Sequence, residues 1–480
     1  KGDRPLEIVT SRQWYIRNGG RDEKLREKLL SRGNELTWHP DFMQHRYANW
    51  VGGLNGDWLV SRQRYFGVPI PLWYRLDANG ETIYDKPLVP TVDQLPVDPS
   101  TDVPQGFTAD QRGTPNGFIG DPDIMDTWAT SSLTPQLAGH WVDDREMFER
   151  IFPMDVRPQG HDIIRTWLFS TMVRSNFEHD VAPWKNACLS GWILDPDRKK
   201  MSKSKGNVVT PSDLFDQYGS DAVRYWAACA RPGVDTAFSE DQMKVGRKLA
   251  TKILNLTKFV LGAGASDAST AAAQPVDLVD QAMLVRLSEV VDAATIALEQ
   301  FDYARALERT EAFFWWFCDD YVELVKTRAY GETQDSSSAR VSLHRALSIV
   351  QRLFAPMLPF ATEEVWSWWQ SGSIHRAAWP TSAETVAGFS VAPDAIKALD
   401  AICEVLGAVR RTKTEAKVSQ RAEVAKLVVT ADEKTVKMLQ ANLSDLRNAG
   451  SLQEIEFVVS DSNSEPAKVF AQVTLAAPLN

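Results

Sequence analysis

The stretch RKKMSKSKGNVVTP at residues 198–211 concentrates cations and hydroxyls in one short segment. Lys200 and Lys203 stand three apart, with Ser202 between them and Ser204 after, and Met201 is the only large apolar residue from Lys199 to Gly206. Two ammoniums and two hydroxyls at that spacing can converge on one phosphate group. Lysine is a flexible point charge, suited to negative charge that builds on a leaving pyrophosphate. Gly206 lets the loop change shape around it. A second stretch, Gln159-Gly160-His161-Asp162, stands just before apolar residues at helical spacing. An Asp at a helix start can accept hydrogen bonds from two neighbouring hydroxyls, and Gly160 permits close backbone approach. Alone, the first stretch also reads as a solvated basic turn, and the second as an ordinary N-cap.

The elements around these stretches change character along the chain. At 480 residues, about three domains are expected from a prior of roughly 150 residues each. A hydrophobic share of 44% supports large cores, and no apolar run approaches a membrane span. The net charge of −10 argues against indiscriminate coating of nucleic acid but leaves room for a local basic face. Cys188, Cys229, Cys318 and Cys403 are far apart, which argues against a zinc site or disulfide framework and suits a cytoplasmic location. Residues 1–74 mix short strands (7–10, 58–61) with a charged helix near 21–32, and 75–122 form a polar insertion with seven prolines. Residues 123–230 read as α/β, with a helix from near Asp162 and two short helices capped by Ser212 and Ser220. Long amphipathic helices follow at 243–261, 278–300, 303–327 and 342–354, the pattern of a helical bundle. The tail from about 394 reads helix, strand (424–429), helix (433–449), strand (455–459), strand (469–475).

The order K-M-S-K-S resembles the signature loop of class I aminoacyl-tRNA synthetases, and Gly160-His161-Asp162 is similar to their ribose-holding G-x-D motif. SRQRYFGVPIPLWY (61–74), DPDIMDTWATSSLTP (121–135) and EIVTSRQWYI (7–16) resemble the valyl-tRNA synthetase family in particular. GRKLATKILNLTKFVLG (246–262), FFWWFCDDYVELVK (313–326) and LFAPMLPFATEEVW (353–366) are similar to that family's anticodon-binding bundle. The isoleucyl enzymes are the alternative family, and a non-catalytic tRNA-binding module of the same fold is the alternative class. The resemblance implies a Rossmann-type α/β catalytic remainder, an all-α anticodon-binding bundle and a small α/β C-terminal domain. The expected boundaries are 1–210 for the C-terminal half of the catalytic domain, 211–240 for a connecting segment, 241–390 for the bundle and 391–480 for the last domain.

By the same resemblance the complete protein would be a valine-tRNA ligase, with valine, ATP carrying Mg²⁺, and tRNA(Val) as its partners. Lys200 and Lys203 would be catalytic. Gly160, Asp162, Lys200, Met201, Ser202, Lys203 and Ser204 would bind ATP, and Phe66 and Trp167 would line the amino-acid pocket. Many relatives carry Trp in place of Phe66. The basic stretch RRTKTEAK (410–417) offers Arg410, Arg411, Lys413 and Lys417 to tRNA phosphates, with Arg421 nearby. The aromatic run Phe313–Phe317 is expected in the bundle core rather than on a base-stacking platform. No zinc is expected, because the insertion lacks cysteine pairs, and no metal ligands are assigned. None of the seven histidines lies in the family's His-x-Gly-His context. The sequence is therefore expected to be the C-terminal part of a longer protein, lacking that half-site and the editing domain, and inactive alone.

Overall fold

The computed structural model describes residues 10–202, 205–264, 274–390, 394–460 and 469–476, in two compact units. The first comprises residues 1–192 with 232–234, and the second 193–231 with 235–480.

In the first unit three parallel strands lie side by side, with Trp184–Ser190 between Thr37–His39 and Met154–Gly160. Met154–Gly160 is hydrogen-bonded on one side only among the described residues. The chain crosses from Met154–Gly160 to Trp184–Ser190 through a helix, as a parallel connection requires. That helix is not uniform. It opens as a 3₁₀ turn at His161–Ile163, continues as a π turn at Ile164–Leu168 and settles into an α-helix at Phe169–His179. Its apolar face, Ile164, Leu168, Met172 and Val173, meets Trp184, Ala187 and Leu189 of the sheet. The helix Glu23–Asn34, capped by the Asp22 carboxylate, and the helix Met43–Gly52 complete this core through Leu29, Tyr47 and Val51. The second of these helices buries Met43, Tyr47 and Val51 at steps of four, a helical spacing that the reading of 1–74 did not use. The insertion forms a three-stranded antiparallel sheet, with Trp73–Leu76 between Thr82–Leu88 and Phe118–Gly120.

In the second unit the helices Glu240–Gly262, Leu278–Glu299, Tyr303–Trp316, Val322–Ala329, Gln334–Phe354 and Pro359–Ser367 surround one apolar core. A π turn at Phe317–Tyr321 joins two of them. Phe313, Phe314 and Phe317 are buried there. The same core runs on into the last domain through Leu399, Ile402 and Val405 of the helix Ala395–Glu415, and Leu427 and Val429 of the strand Val424–Ala431. That strand is central, parallel to Leu452–Val459 and antiparallel to Phe470–Leu475.

One polar cluster is embedded in this apolar mass. Asp280 is fully buried and accepts from both Arg328 Nη atoms (2.8 and 2.9 Å), Tyr321 Oη (2.7 Å) and Ser338 Oγ (2.6 Å). Arg328 Nε also donates to Asp445 in the last domain at 2.8 Å. Burial pushes the Asp445 carboxyl up to about 6, outweighing the guanidinium beside it. For Arg328 burial works against the charge, but the surrounding carboxylates prevail and hold its pKa above the ordinary value.

Several local expectations are corrected. Pro211 and Gly219, not Ser212 and Ser220, occupy the positions before the two short helices, and each serine is the first helical residue. The helix expected at 342–354 begins at Gln334, where Thr333 and Ser336 form a capping box. Its early turns carry buried hydroxyls (Ser336, Ser338, Ser342) instead of an apolar stripe, which hid them from a periodicity argument. The helix expected at 433–449 is two, broken at Asn442. The strand expected at 7–10 lies largely outside the described residues.

Candidate active site

Gly160 ends its parallel strand, so Asp162 stands at the carboxyl end of a sheet, where open α/β folds bind ligands. The Asp162 carboxylate is exposed and folds back over the glycine: a Cβ on Gly160 would lie 2.7 Å from Asp162 Oδ1. The glycine leaves room for that placement of the carboxylate, while its φ of −72° suits any residue. His161 is buried; its Nδ1 lies 3.1 Å from Ser190 O, and its ring lies 5.0 Å from that of Trp192. This locks the turn and leaves Asp162 facing outward.

Trp167, in the π turn, is half-buried, and its Nε1–H donates to Ser131 O at 3.1 Å. The Arg157 guanidinium carbon lies 3.1 Å from its ring centroid. Phe66 is 90% exposed and borders a cleft of about 290 Å³ with Arg62, Gly67, Ile124, Asp126 and Thr130. Trp167 does not itself line that cleft, but its indole is bonded to Ser131, the neighbour of the cleft's Thr130. Asp126, in DPDIMDTWATSSLTP, orders the cleft. It caps the helix Thr127–Ser131 and accepts from Trp58 Nε1 and Arg62 Nη2 at 3.1 and 3.0 Å.

The lysine loop belongs to the second unit. Lys200 is exposed, and Met201 and Ser202 are partly buried; Lys203 and Ser204 lie outside the described residues. Two residues that the sequence motifs did not single out hold the loop closed. Asp195 accepts from the Lys199 backbone N–H (2.7 Å) and from Asn207 Nδ2 (2.8 Å), while Asn207 Oδ1 accepts from the Ser202 N–H (2.9 Å). The Asn207 amide, then the Lys199 N–H, keep the Asp195 carboxyl below the usual range. Their signal was available: DPD before and GN after the lysines are turn chemistry. Gly206 has a φ of 68°, a left-handed conformation that glycine adopts without strain.

The basic stretch divides. Arg411, Lys417 and Arg421 are exposed, and Arg410 is paired with Asp320. Lys413 is 1% exposed, and its ammonium donates to Gln420 O (3.0 Å) and Gly450 O (2.9 Å). It therefore ties the helix end to the rest of the last domain and is not presented to a phosphate, contrary to expectation. No group of three or more His, Cys, Asp or Glu side chains among the described residues is arranged to hold a metal ion.

Residues 7–239 match the family described as class I tRNA synthetases (I, L, M and V), and residues 280–429 match the anticodon-binding domain of tRNA ligases. The valine–tRNA ligase of Thermobifida fusca is 60% identical over 462 residues, covering 96% of this chain and 52% of that protein. The one from Salinispora tropica is 55% identical over 482 residues, covering 97% and 56%. The chain thus spans about half the length of the curated relatives it matches. The fold recurs in a leucyl-tRNA synthetase from Agrobacterium radiobacter K84, solved as a ternary complex with tRNA (TM-score 0.55, 18% identity, 84% of this chain and 51% of that one). It also recurs in the Mycobacterium tuberculosis methionyl-tRNA synthetase (TM-score 0.51, 19% identity, 71% and 60%). Residues 7–239 of this chain belong to the class I tRNA synthetase family.

Proposed function

We propose that the chain is part of a valine–tRNA ligase, which joins valine to ATP, releases pyrophosphate and passes the valyl group to the 3′ end of tRNA(Val). The reading rests above all on the 60% identity to a valine–tRNA ligase over 96% of the chain. In the first step a valine carboxylate oxygen attacks the α-phosphorus, and the bond to pyrophosphate breaks. Catalysis here is positioning and charge stabilisation. Lys200 and Lys203, with Met201, Ser202 and Ser204 around them, would meet the charge that builds on the departing phosphates. Asp162 would accept the ribose hydroxyls over Gly160. Trp167 would contact the valine side chain, with Phe66 closing over it from its exposed position. Magnesium would arrive on the nucleotide phosphates, as part of the substrate.

The domain plan that goes with this reading keeps 1–210 as catalytic remainder, 211–240 as connector, 241–390 as anticodon-binding bundle and 391–480 as the last domain. No helix among the described residues is long and apolar enough to cross a membrane, and a cytoplasmic site of action is part of the proposal. The deciding experiment is amino-acid-dependent exchange of pyrophosphate into ATP by the complete protein. Valine should support it and isoleucine should do so far more weakly; the reverse order would transfer the assignment to the isoleucyl enzymes, and no exchange with either would leave a binding module.

The basic helix end yields a paired expectation. Replacing both Arg411 and Lys417 by alanine should weaken tRNA binding and reduce the slope of log affinity against log salt by roughly 0.7–0.9 for each phosphate that is no longer neutralised. Lys413→Met should leave that slope unchanged and instead destabilise the second unit by about 1.5–3 kcal/mol, because two carbonyls lose a charged donor. Salt-titrated filter binding and thermal melts separate the two behaviours.

A further inference from the structure

Arg157 is a buried cation without a hydrogen-bond partner for its interior nitrogens. The residue is 8% exposed, and neither Nε nor Nη2 finds an acceptor. Burial alone lowers its pKa, to about 10, with no carboxylate acting in the opposite sense. It has two indoles instead, with its guanidinium carbon 3.1 Å from the Trp167 ring centroid and 5.2 Å from that of Trp184. A desolvated guanidinium over an aromatic face is where the cation–π attraction is strongest. A buried charge left with no partner at all is strongly disfavoured. Cation and indole therefore hold each other, and Trp167 cannot swing away without baring the charge.

The two indoles differ in what this does for them. Trp184 is fully buried in the central strand and already fixed by packing. Trp167 is half-buried, in the π turn that follows Gly160 and Asp162, and outside Arg157 its ring is tethered at one point, the Ser131 carbonyl. Strand alternation places Arg157 and Gln159 on the buried side of Met154–Gly160, so the guanidinium reaches the indole from beneath the turn.

We propose that Arg157 is a positioning residue that fixes the plane of Trp167, and through it the size of the space left for the amino-acid side chain. This rests on the role given to Trp167 above. The substrate discrimination at stake is one methylene, worth about 10–200-fold, a range set by synthetases themselves, so a small tilt of one wall is measurable.

The test is pyrophosphate exchange by the complete protein with valine and with isoleucine, comparing Arg157→Met, Arg157→Lys and Trp167→Ala. Arg157→Met keeps the bulk and removes the charge; it should raise KM for valine about tenfold, leave kcat within about threefold, and lower the valine-over-isoleucine ratio of kcat/KM about tenfold. Arg157→Lys keeps a cation without the flat stack and should lie between wild type and Arg157→Met. A purely architectural arginine would lower the melting temperature and the active fraction but leave KM and the ratio alone. Unchanged KM and ratio in Arg157→Lys would overturn the proposal even if Arg157→Met fails to fold. If Trp167→Ala shifts the ratio while folded Arg157 variants do not, the positioning role fails and the pocket assignment survives. If Trp167→Ala leaves the ratio unmoved, both fall.

Discussion

Lys203→Ala is expected to slow valyl-adenylate formation by roughly 100–1,000-fold in the complete protein, the equivalent of about 2.7–4 kcal/mol for one lost donor to a transition state. The loss should appear in kcat, with the KM for valine almost unchanged. A contact that strengthens only as charge builds on the leaving group does nothing for the bound ground state. The loop geometry sharpens the expectation. Asp195 and Asn207 hold the backbone N–H groups of Lys199 and Ser202, which gives the described part of the turn a scaffold of its own. Asn207→Ala would disturb that scaffold and should lower kcat while also changing how the loop responds to ATP concentration. Near-normal exchange by Lys203→Ala would return the stretch to a solvated basic turn.

Arg328→Met is expected to destabilise the second unit by about 3–5 kcal/mol, the cost of breaking a buried ion pair by removing one partner. Asp280 is 0% exposed and would keep only Tyr321 and Ser338 as donors, while Asp445 would lose its cation. The pH dependence has a definite sign. In the wild type the Asp445 carboxyl is pushed up to about 6, above its unfolded value, so its contribution favours the fold at low pH and is lost as pH rises through about 6. Without Arg328 the buried carboxylates rise further. The deficit of the variant should therefore be largest at neutral pH and shrink as pH falls toward 5. Denaturant melts at pH 5 and pH 7.5 check this, and equal deficits at both would refute the account. Asp280→Asn in the Arg328→Met background should recover part of the loss, since a neutral amide is cheaper to bury than an orphaned carboxylate.

The turns at Gly160-His161-Asp162 and Lys200 to Ser202, with Asp162 and Lys200 exposed on them, were legible because residues only a few positions apart carry them. The bundle was legible from helical periodicity. What escaped depends on contacts between residues far apart in sequence. Asp280 looks like an ordinary acid in the first turn of a helix, and nothing local reveals a partner 48 residues away. Arg157 reads as a surface charge on a strand until the rings of Trp167 and Trp184 come within reach of it. Lys413 is a different failure, because the signal was present. It continues the buried stripe Ile402, Leu406, Val409 at steps of four, three and four, and periodicity should have outranked charge.

The Asp280–Arg328–Asp445 cluster also sets an order of events on the ribosome. Asp445 lies 117 residues beyond Arg328, so at about 5–20 residues per second it is made roughly 6–23 s later. Arg328 does not spend that interval as a bare charge in a closing core, because Asp280, made 48 residues earlier, is ready to neutralise it. The bundle can thus seal its own polar centre during translation, and the last domain arrives to a guanidinium already held in place, with Nε kept for it.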